Sequence, residues 1–326
     1  MIYNNLGKSG LKISALSLGS WVTFGNQISD ETASDLMHKA YEHGVNFFDN
    51  AETYANGKSE LVMGKILKQS GWDRSSYLVS SKVFYGTGSK GPNQTGLSRK
   101  HIREACDAAL KRLQVDYLDL YLCHRPDKTV PIEEIVWTMH HLIEQGKILY
   151  WGTSEWSAQE IMEAHMYARQ FNLIPPVVEQ PQYNMFHRAK VELEFKQIYK
   201  TVGLGLTIFS PLASGSLTNK YLSKFPDNTR MSLKGYEWLK DKSITEEKLQ
   251  MIKALQSVAD DIETSLPKLG IAWCLMNKDV STVILGASKI IQLEETLQSV
   301  DILDKLKPEV MDRIELILRN KPVLIV

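Results

Sequence analysis

Residues 98–124, SRKHIREACDAALKRLQVDYLDLYLCH, contain the unit from which we predict the fold. Ser98 stands where a helix N-cap is expected, and the apolar residues after it follow the spacing of an amphipathic helix that ends near Leu113. Residues 118–124 then form a short apolar run with the length of a buried strand. A helix followed by a strand is the repeating element of a parallel sheet with crossover helices.

The same alternation extends along the whole chain. Strands are predicted at residues 16–19, 46–49, 78–82, 118–124, 149–154, 178–180, 206–210 and 282–285, which makes eight. Further helical patterns include residues 30–43 and residues 157–171, with Ser157 as the second N-cap. No Gly/Ser/Pro-rich linker interrupts the series, so we predict one domain over residues 1–326, an α/β fold of the (β/α)8 TIM-barrel type.

Three segments lie outside the repeating units. Residues 3–6 and 11–13 are predicted to form an N-terminal β-hairpin that plugs the floor of the barrel, and a C-terminal helix completes the fold. Residues 211–244, after the seventh strand, are too many for a simple connection between strand and helix. Loops of this length usually cover a site.

The composition restricts the class of protein. Hydrophobic residues make up 43% of the 326 residues, and Lys+Arg and Asp+Glu both number 38. Because this balance provides no overall positive field, we predict no nucleic-acid partner. Because no stretch approaches about 18 uninterrupted apolar residues, we predict no direct membrane insertion. The start lacks the features of a secretory signal, which favours a cytoplasmic location. Three widely spaced cysteines predict reduced, mostly buried thiols.

Four polar residues stand at or after the ends of consecutive predicted strands. Asp49 ends the second strand, Tyr54 follows five residues later, Lys82 ends the third strand and His124 ends the fourth. In a (β/α)8 barrel these carboxyl ends converge on one mouth. Each residue alone also has an ordinary interpretation. Asp49 could be a helix N-cap and Tyr54 a surface aromatic. Lys82 could be a solvated strand end and His124 a polar side chain with its hydrogen bonds satisfied.

Carbonyl reduction needs an acid beside the carbonyl oxygen. A free tyrosine, with a pKa near 10, is a poor donor at neutral pH. We expect the Lys82 ammonium to lower the pKa of Tyr54, with the Asp49 carboxylate holding Lys82 charged. His124 can then donate a hydrogen bond to the developing oxyanion.

The motifs around these residues resemble the aldo-keto reductase family. Residues 49–54, DNAETY, residues 57–60, GKSE, Ser81-Lys82 and His124-Arg125-Pro126 are similar to its signature. The resemblance covers nearly the whole chain. It is closest to the branch that contains the voltage-gated potassium channel β subunits, through residues 5–11, 21–25, 168–176 and 232–236.

This resemblance implies a catalytic tetrad and a bound NADPH without a Rossmann domain. The tetrad is Asp49, Tyr54, Lys82 and His124. In the channel subunits of that branch the position of His124 is typically Asn, whereas catalytic reductases generally carry His, so His124 favours turnover. The branch is tetrameric, which favours a homotetramer here.

The resemblance also implies where NADPH binds: Ser154 and Gln180 hold its carboxamide, and Phe209 stacks on its ring. The position after Ser154 is Glu155, to which we assign no cofactor contact. The segment 286–288 before a helix predicted at residues 289–299 resembles the adenosine-phosphate site, although Thr296 replaces the usual Asn. The implied contacts are Ser20, Trp21, Gln27, Asp49, Ser154, Gln180, Phe209, Ser210, Pro211, Leu212, Ser214, Lys220, Arg230, Gly286, Ser288, Gln292 and Glu295.

Two other patterns could indicate a Rossmann dinucleotide site or a metal site, but neither has the required sequence context. Residues 86–91, GTGSKG, match the glycine spacing of a dinucleotide fingerprint, but Pro92, Asn93 and Gly96 intervene where a helix should open. We expect a loop near the substrate mouth instead. His140 and His141 lie in a helical pattern without an HExxH motif, so no metal is predicted.

We therefore predict an NADPH-dependent oxidoreductase that reduces aldehydes or ketones, with Tyr54 as the general acid. The alternative is an NADPH-binding regulatory or redox-sensing β subunit of a potassium channel with little turnover. A second alternative uses Lys82 as the Schiff-base nucleophile of an aldolase, although Asp49 keeps that lysine protonated. We expect Trp21, Tyr54, Phe84 and Tyr85 to line the pocket for a small carbonyl substrate.

Overall fold

Eight parallel strands close into a barrel within the residues that the computed structural model describes, which are 1–218, 220 and 245–323. Strands β3 to β10 follow one another around the barrel in chain order, and β10 pairs with β3 to close it. The strands are β1 Tyr3–Asn5, β2 Lys12–Ser14, β3 Leu16–Gly19, β4 Phe47–Asp49, β5 Leu78–Val83, β6 Leu118–Cys123, β7 Ile148–Ser154, β8 Val178–Gln180, β9 Gly205–Ile208 and β10 Val280–Leu285. The predicted (β/α)8 barrel is confirmed.

Helices pack around the barrel, and their ends match the predicted caps. Ser98 accepts a hydrogen bond from the backbone of His101, and Ser157 forms a capping box with Glu160. The described helices are α1 Asp30–Glu42, α2 Lys58–Ser70, α3 Arg99–Leu113, α4 Ile132–Glu144, α5 Ala158–Gln170, α6 Lys196–Val202, α7 Glu246–Asp261, α8 Leu266–Leu275, α9 Ile290–Leu297 and α10 Pro308–Leu318. These helices cover the outer face of the sheet.

The barrel strands are rich in apolar residues and almost entirely buried, because both faces of the sheet are covered. Every residue of β6 is buried. Tyr121 and Cys123 belong to the large core between barrel and helices, whereas Leu120 and Leu122 belong to a smaller cluster. That smaller cluster is the packing inside the lower barrel.

The N-terminal hairpin closes the amino-terminal end of the barrel, as predicted. Strands β1 and β2 pair antiparallel, and Leu6 and Ile13 are fully buried in the smaller cluster. The backbone of Lys8 donates to the carbonyl of Gly203 over 2.8 Å. At Gly7, where φ is +56°, a Cβ would lie 2.3 Å from the Gly203 oxygen. The hairpin leaves the opposite end of the barrel open.

The C-terminal helix, α10, is present and is tied to the barrel by ion pairs. The guanidinium of Arg188 contacts Glu192 and Glu315 over 2.7–2.9 Å. Helix α9 is shorter than predicted because the chain continues after it as a 3-10 helix, Gln298–Lys305. Within the described ranges, no helix is both long and apolar enough to cross a membrane. The three cysteines are buried free thiols.

Candidate active site

The carboxyl ends of the barrel strands surround a cavity of about 1300 Å³. This volume exceeds the roughly 300–1,000 Å³ of ordinary small-ligand pockets, so it has room for more than one small ligand. Asp49, Tyr54 and His124 line it. Lys82 is fully buried beneath them. The four residues predicted at consecutive strand ends are therefore brought together.

Local backbone geometry fixes where these side chains stand. Asp49 ends β4 and pairs in register with Gly19 of β3. Tyr54 begins a 3-10 turn, Tyr54–Gly57, in which Ala55 and Asn56 adopt left-handed φ angles of 48° and 54°. Such angles are sparsely populated by residues other than glycine, and the surrounding structure must hold them. The sharp turn returns Tyr54 to the mouth of the barrel.

Lys82 connects the acidic and phenolic groups of the site. Its Nζ donates to Asp49 Oδ2 over 2.6 Å, to the carbonyl of Asn50 over 2.8 Å and to the Tyr54 hydroxyl over 3.2 Å. Burial alone would lower the pKa of Lys82, but Asp49 and Tyr54 outweigh it and raise that pKa. Lys82 is therefore a buried ammonium.

Tyr54 differs in one respect from the expectation. Burial outweighs the nearby Lys82 charge and raises the pKa of Tyr54 above 10. The expected lowering of this pKa is wrong for the site as described, because the phenol lies where a tyrosinate loses its hydration. Tyr54 carries its proton throughout the neutral range.

His124 is the fourth member, and it is neutral. Burial, followed by the charges of Lys82 and Arg125, lowers the pKa of His124 well below 6.5. Its ring lies 5.8 Å from the ring of Tyr54, edge to face. Among the described residues its buried Nδ1 has no hydrogen-bond partner. A neutral ring at the cavity wall can donate one N–H to a ligand oxygen.

The residues predicted for a nicotinamide lie at the same end. Ser154 and Gln180 pair in register on β7 and β8, and both line the cavity with Phe209. The Ser154 hydroxyl donates to the Gln180 carbonyl over 2.9 Å, and Gln180 Nε2 donates to Asp49 Oδ1 over 3.1 Å. These bonds fix both side chains beside the tetrad.

The residues predicted for adenosine and phosphates lie farther along the same cavity. Ser210 and Ser214 have left-handed φ angles, and the Ser214 amide donates to Ser210 Oγ over 3.0 Å. The Ser288 amide and hydroxyl both donate to Gln292 Oε1. The predicted residues that line the cavity here or near the tetrad are Trp21, Gln27, Ser210, Pro211, Leu212, Ser214, Lys220, Gly286, Ser288, Gln292 and Glu295.

Two of the residues predicted to contact the cofactor are not among the described residues that line the cavity. Ser20 is fully buried, and its hydroxyl donates to the Asp49 carbonyl over 3.0 Å, so it supports the wall. Arg230 lies outside the described residues, as does most of the predicted loop at 211–244.

Glu155 and Ser265 line the cavity without having been predicted to do so. Glu155 has a φ of +60°, and its carboxylate accepts from the Gln182 amide over 2.6 Å and pairs with Lys190 at 3.3 Å. Ser265 precedes α8, and its buried hydroxyl has no partner among the described residues. Ser265 directly precedes Leu266-Pro267. A serine just before a proline in the first helical turn is a sequence signal for an N-cap.

The glycine-rich segment is a loop at the cavity mouth, in agreement with the expectation. Glu52 Oε1 accepts from the amides of Phe84 and Gly86, each over 2.8 Å. Tyr85 lines the cavity, as expected. The expectation that Phe84 lines it is wrong, because its ring packs against the hydrophobic core. The next helix, α3, opens only at Arg99. The cavity is therefore formed by strand ends and not by a Rossmann phosphate loop.

The arrangement suits proton donation to a carbonyl oxygen. Among the described residues, no three His, Cys, Asp or Glu side chains are grouped as metal ligands. The protonated phenol of Tyr54, backed by the Lys82 ammonium, provides one proton, and the neutral imidazole of His124 provides one N–H donor for a developing oxyanion.

Comparisons with known proteins agree with this geometry. A family model described as the aldo/keto reductase family matches residues 15–319. A protein of Arabidopsis thaliana, described as a probable voltage-gated potassium channel subunit beta, is 49% identical over 323 residues. The match covers 99% of this chain and 98% of that protein. The likeness thus includes every strand end that forms the cavity.

Proposed function

The chain belongs to the aldo/keto reductase family, and from this premise we propose that it reduces aldehydes or ketones with NADPH, using Tyr54 as the proton donor. Membership in this family makes the chain an oxidoreductase. The use of NADPH, the role of Tyr54 as proton donor and the single domain over residues 1–326 are our proposal. The observation that carries the proposal is the hydrogen-bonded series Asp49–Lys82–Tyr54 at the cavity that His124 also lines.

The residues of the chain act on the carbonyl oxygen. When bound, NADPH supplies the hydride. The Tyr54 hydroxyl gives its proton to the oxygen, and the Lys82 ammonium at 3.2 Å stabilises the tyrosinate that remains. Asp49 keeps Lys82 charged and in place. The neutral imidazole of His124 donates an N–H to the oxygen as its charge develops.

The cofactor is proposed to lie along the cavity from the tetrad to α9. Ser154 and Gln180 would hold the carboxamide, and Phe209 would face the ring. Gly286, Ser288, Gln292 and Glu295 would hold the adenosine end. Ser210, Pro211, Leu212, Ser214, Lys220 and Arg230 would contact the phosphates, with Trp21, Gln27 and Asp49 near the reacting ring and Ser20 behind Asp49. The cavity volume supports room for a dinucleotide beside a small carbonyl substrate.

The test is an NADPH-oxidation screen against a panel of aldehydes and ketones, with NADH and a carbonyl-free sample as controls. We expect carbonyl-dependent oxidation of NADPH. Tight NADPH binding without oxidation across the panel would contradict the reductase proposal. Borohydride treatment with each carbonyl present tests the aldolase alternative, and we expect it to trap no adduct on Lys82.

A second candidate is an NADPH-binding β subunit of a potassium channel with little turnover. The observation that favours it is the 49% identity to the Arabidopsis protein that carries such a description. Binding to the cytoplasmic part of a potassium channel in a pull-down, with sedimentation to test for a homotetramer, would support it. Substantial turnover in the screen would favour the reductase.

A further inference from the structure

Arg125 follows His124 directly and lines the same cavity. Its Nη1 donates to the carbonyl of His124 and, over 3.3 Å, to Ser154 Oγ. Its guanidinium carbon lies 6.0 Å from the centroid of the Tyr85 ring. The guanidinium is therefore held between the tetrad, the carboxamide end of the cavity and an aromatic wall.

The remaining donors of Arg125 form no hydrogen bond with any described residue. A guanidinium has five N–H groups, and within the described part of the chain only Nη1 of Arg125 has hydrogen-bond acceptors. Both acceptors are neutral oxygens. Arginines that leave solvent are normally paired with carboxylates, and Arg125 is half-buried without such a partner among the described residues.

The other charges near the reacting centre are balanced. Asp49 pairs with Lys82 at 2.6 Å, and Glu155 pairs with Lys190 at 3.3 Å. Arg125 forms no ion pair with any described carboxylate within 4.0 Å, and its charge contributes to the lowered pKa of His124. Among the described residues, no carboxylate therefore compensates the charge of Arg125 at this end of the cavity.

We propose that Arg125 forms an anion subsite, and that the substrates are carbonyl compounds with a carboxylate close to the carbonyl. This inference rests on the proposed reductase function. A planar carboxylate matches the arginine fork, which binds such groups through two parallel hydrogen bonds. Tyr85 provides an apolar wall beside the fork, so an aromatic or short carbon skeleton fits between carboxylate and carbonyl.

The test compares carboxybenzaldehydes with nitrobenzaldehydes that have the substituent ortho, meta or para. The nitro and carboxylate groups are planar and nearly equal in size, but only the carboxylate is charged. The proteins are the wild type, Arg125→Gln, Arg125→Lys and the control Lys128→Gln, which removes a nearby exposed cation that pairs with Glu160. The measured quantity is kcat/KM with saturating NADPH.

We expect Arg125→Gln to lower kcat/KM for the best carboxybenzaldehyde by about 10–100-fold more than for its nitro partner, the scale of one charged hydrogen bond. Arg125→Lys should retain part of the preference because it keeps the charge and loses the fork. Lys128→Gln should leave the ratio unchanged. Equal losses on both substrate classes would overturn the proposal and make Arg125 a support for the tetrad or cofactor.

A binding measurement separates this inference from the reductase proposal. Benzoate and nitrobenzene are titrated calorimetrically into NADPH-loaded wild type and into both Arg125 variants. We expect benzoate to bind the wild type at least tenfold more tightly than Arg125→Gln, with no such difference for nitrobenzene. If neither aldehyde is reduced, the reductase proposal fails while this titration still decides the subsite. Equal benzoate binding by the wild type and the variants would overturn it.

Discussion

The ammonium of Lys82 lies 3.2 Å from the hydroxyl of Tyr54, to which it donates a hydrogen bond. The same ammonium is 4.8 Å from the centroid of the Tyr54 ring. Lys82 is fully buried, and burial of the Tyr54 phenol disfavours its phenolate and raises its pKa. The charge of Lys82 therefore acts mainly on the state in which Tyr54 has given up its proton.

Replacing Tyr54 with Phe should abolish most carbonyl reduction while leaving NADPH affinity nearly intact. The hydroxyl donates the proton and is not among the groups proposed to hold the cofactor. We expect kcat to fall by about 10²–10⁴-fold, the usual contribution of a general acid. Tyr85→Phe is the matched control, since Tyr85 lines the same cavity, and it should lose far less. A Tyr54→Phe variant with more than a tenth of wild-type turnover would show that another group is the donor.

The pH profile of reduction should be flat through the neutral range. Burial raises the pKa of Tyr54 above 10, so the donating form is populated below that pKa and is lost as the pH rises through it. The pKa of His124 lies well below 6.5, so the neutral ring is retained over the same range. We expect kcat/KM to stay constant up to about pH 10. A decline centred near pH 7–8 would contradict the raised Tyr54 pKa.

His124→Asn should lower kcat more than it changes KM, because the contact to the carbonyl oxygen strengthens in the transition state. Asn keeps a donor but changes its reach, so we expect a loss of about 10–1000-fold. NADPH binding should survive. If His124 only fills a polar niche at the end of β6, the thermal midpoint should fall and kcat should not. Measuring kcat, KM and the midpoint on the same preparations separates these outcomes.

Stability should depend on the protonation of His101. Its Nδ1 lies 2.8 Å from the Gly96 carbonyl, and its Nε2 lies 3.4 Å from Glu52 Oε2. Both ring nitrogens face acceptors, and only the imidazolium form can donate to both of them. Burial lowers the pKa of His101, but Glu52 and the Gly96 carbonyl outweigh it and raise that pKa.

The raised pKa of His101 determines the direction in which stability changes with pH. The stabilisation is fully present below the unfolded value near 6.5 and is lost as the pH rises through the folded pKa. We expect the thermal midpoint of His101→Gln to fall less than that of the wild type between about pH 6 and pH 9. The control is His43→Gln, at an exposed site, which should follow the wild type. Parallel midpoints for the wild type and His101→Gln would rule out the imidazolium.

Gly64→Ala should destabilise the fold, although alanine favours a helix over glycine by about 1 kcal/mol. Gly64 lies in α2, where a Cβ would stand 2.2 Å from the Arg112 carbonyl oxygen and 2.6 Å from the Leu113 carbonyl carbon of α3. Backbone atoms cannot rotate away, so the helices must separate, at a cost of about 1–3 kcal/mol beyond the helix gain. Gly10→Ala, with no atom within 4 Å of its Cβ, should change stability by less than about 0.5 kcal/mol. Chemical denaturation of both variants measures the difference.

Local patterns in the sequence predict most of the fold. The caps at Ser98 and Ser157 and the buried run of β6 depend on neighbouring residues, so periodicity reveals them. The left-handed Gly44 and Gly146, with φ of 81° and 68°, likewise follow from the ends of their own helices. The meeting of Asp49, Tyr54, Lys82 and His124 was predictable for one further reason: the strand ends of a parallel barrel share a mouth.

Only the tertiary structure decided the electrostatics of the site. The pKa of Tyr54 depends on how fully its hydroxyl is buried against one charge 3.2 Å away. Glu155 is neutralised by Lys190 from another segment, while Arg125 has no such partner among the described residues. Pair energies and desolvation depend on distances between residues far apart in the chain, and no local pattern encodes them. The sequence alone determined which groups reach the mouth, and the packing determined which charges remain there.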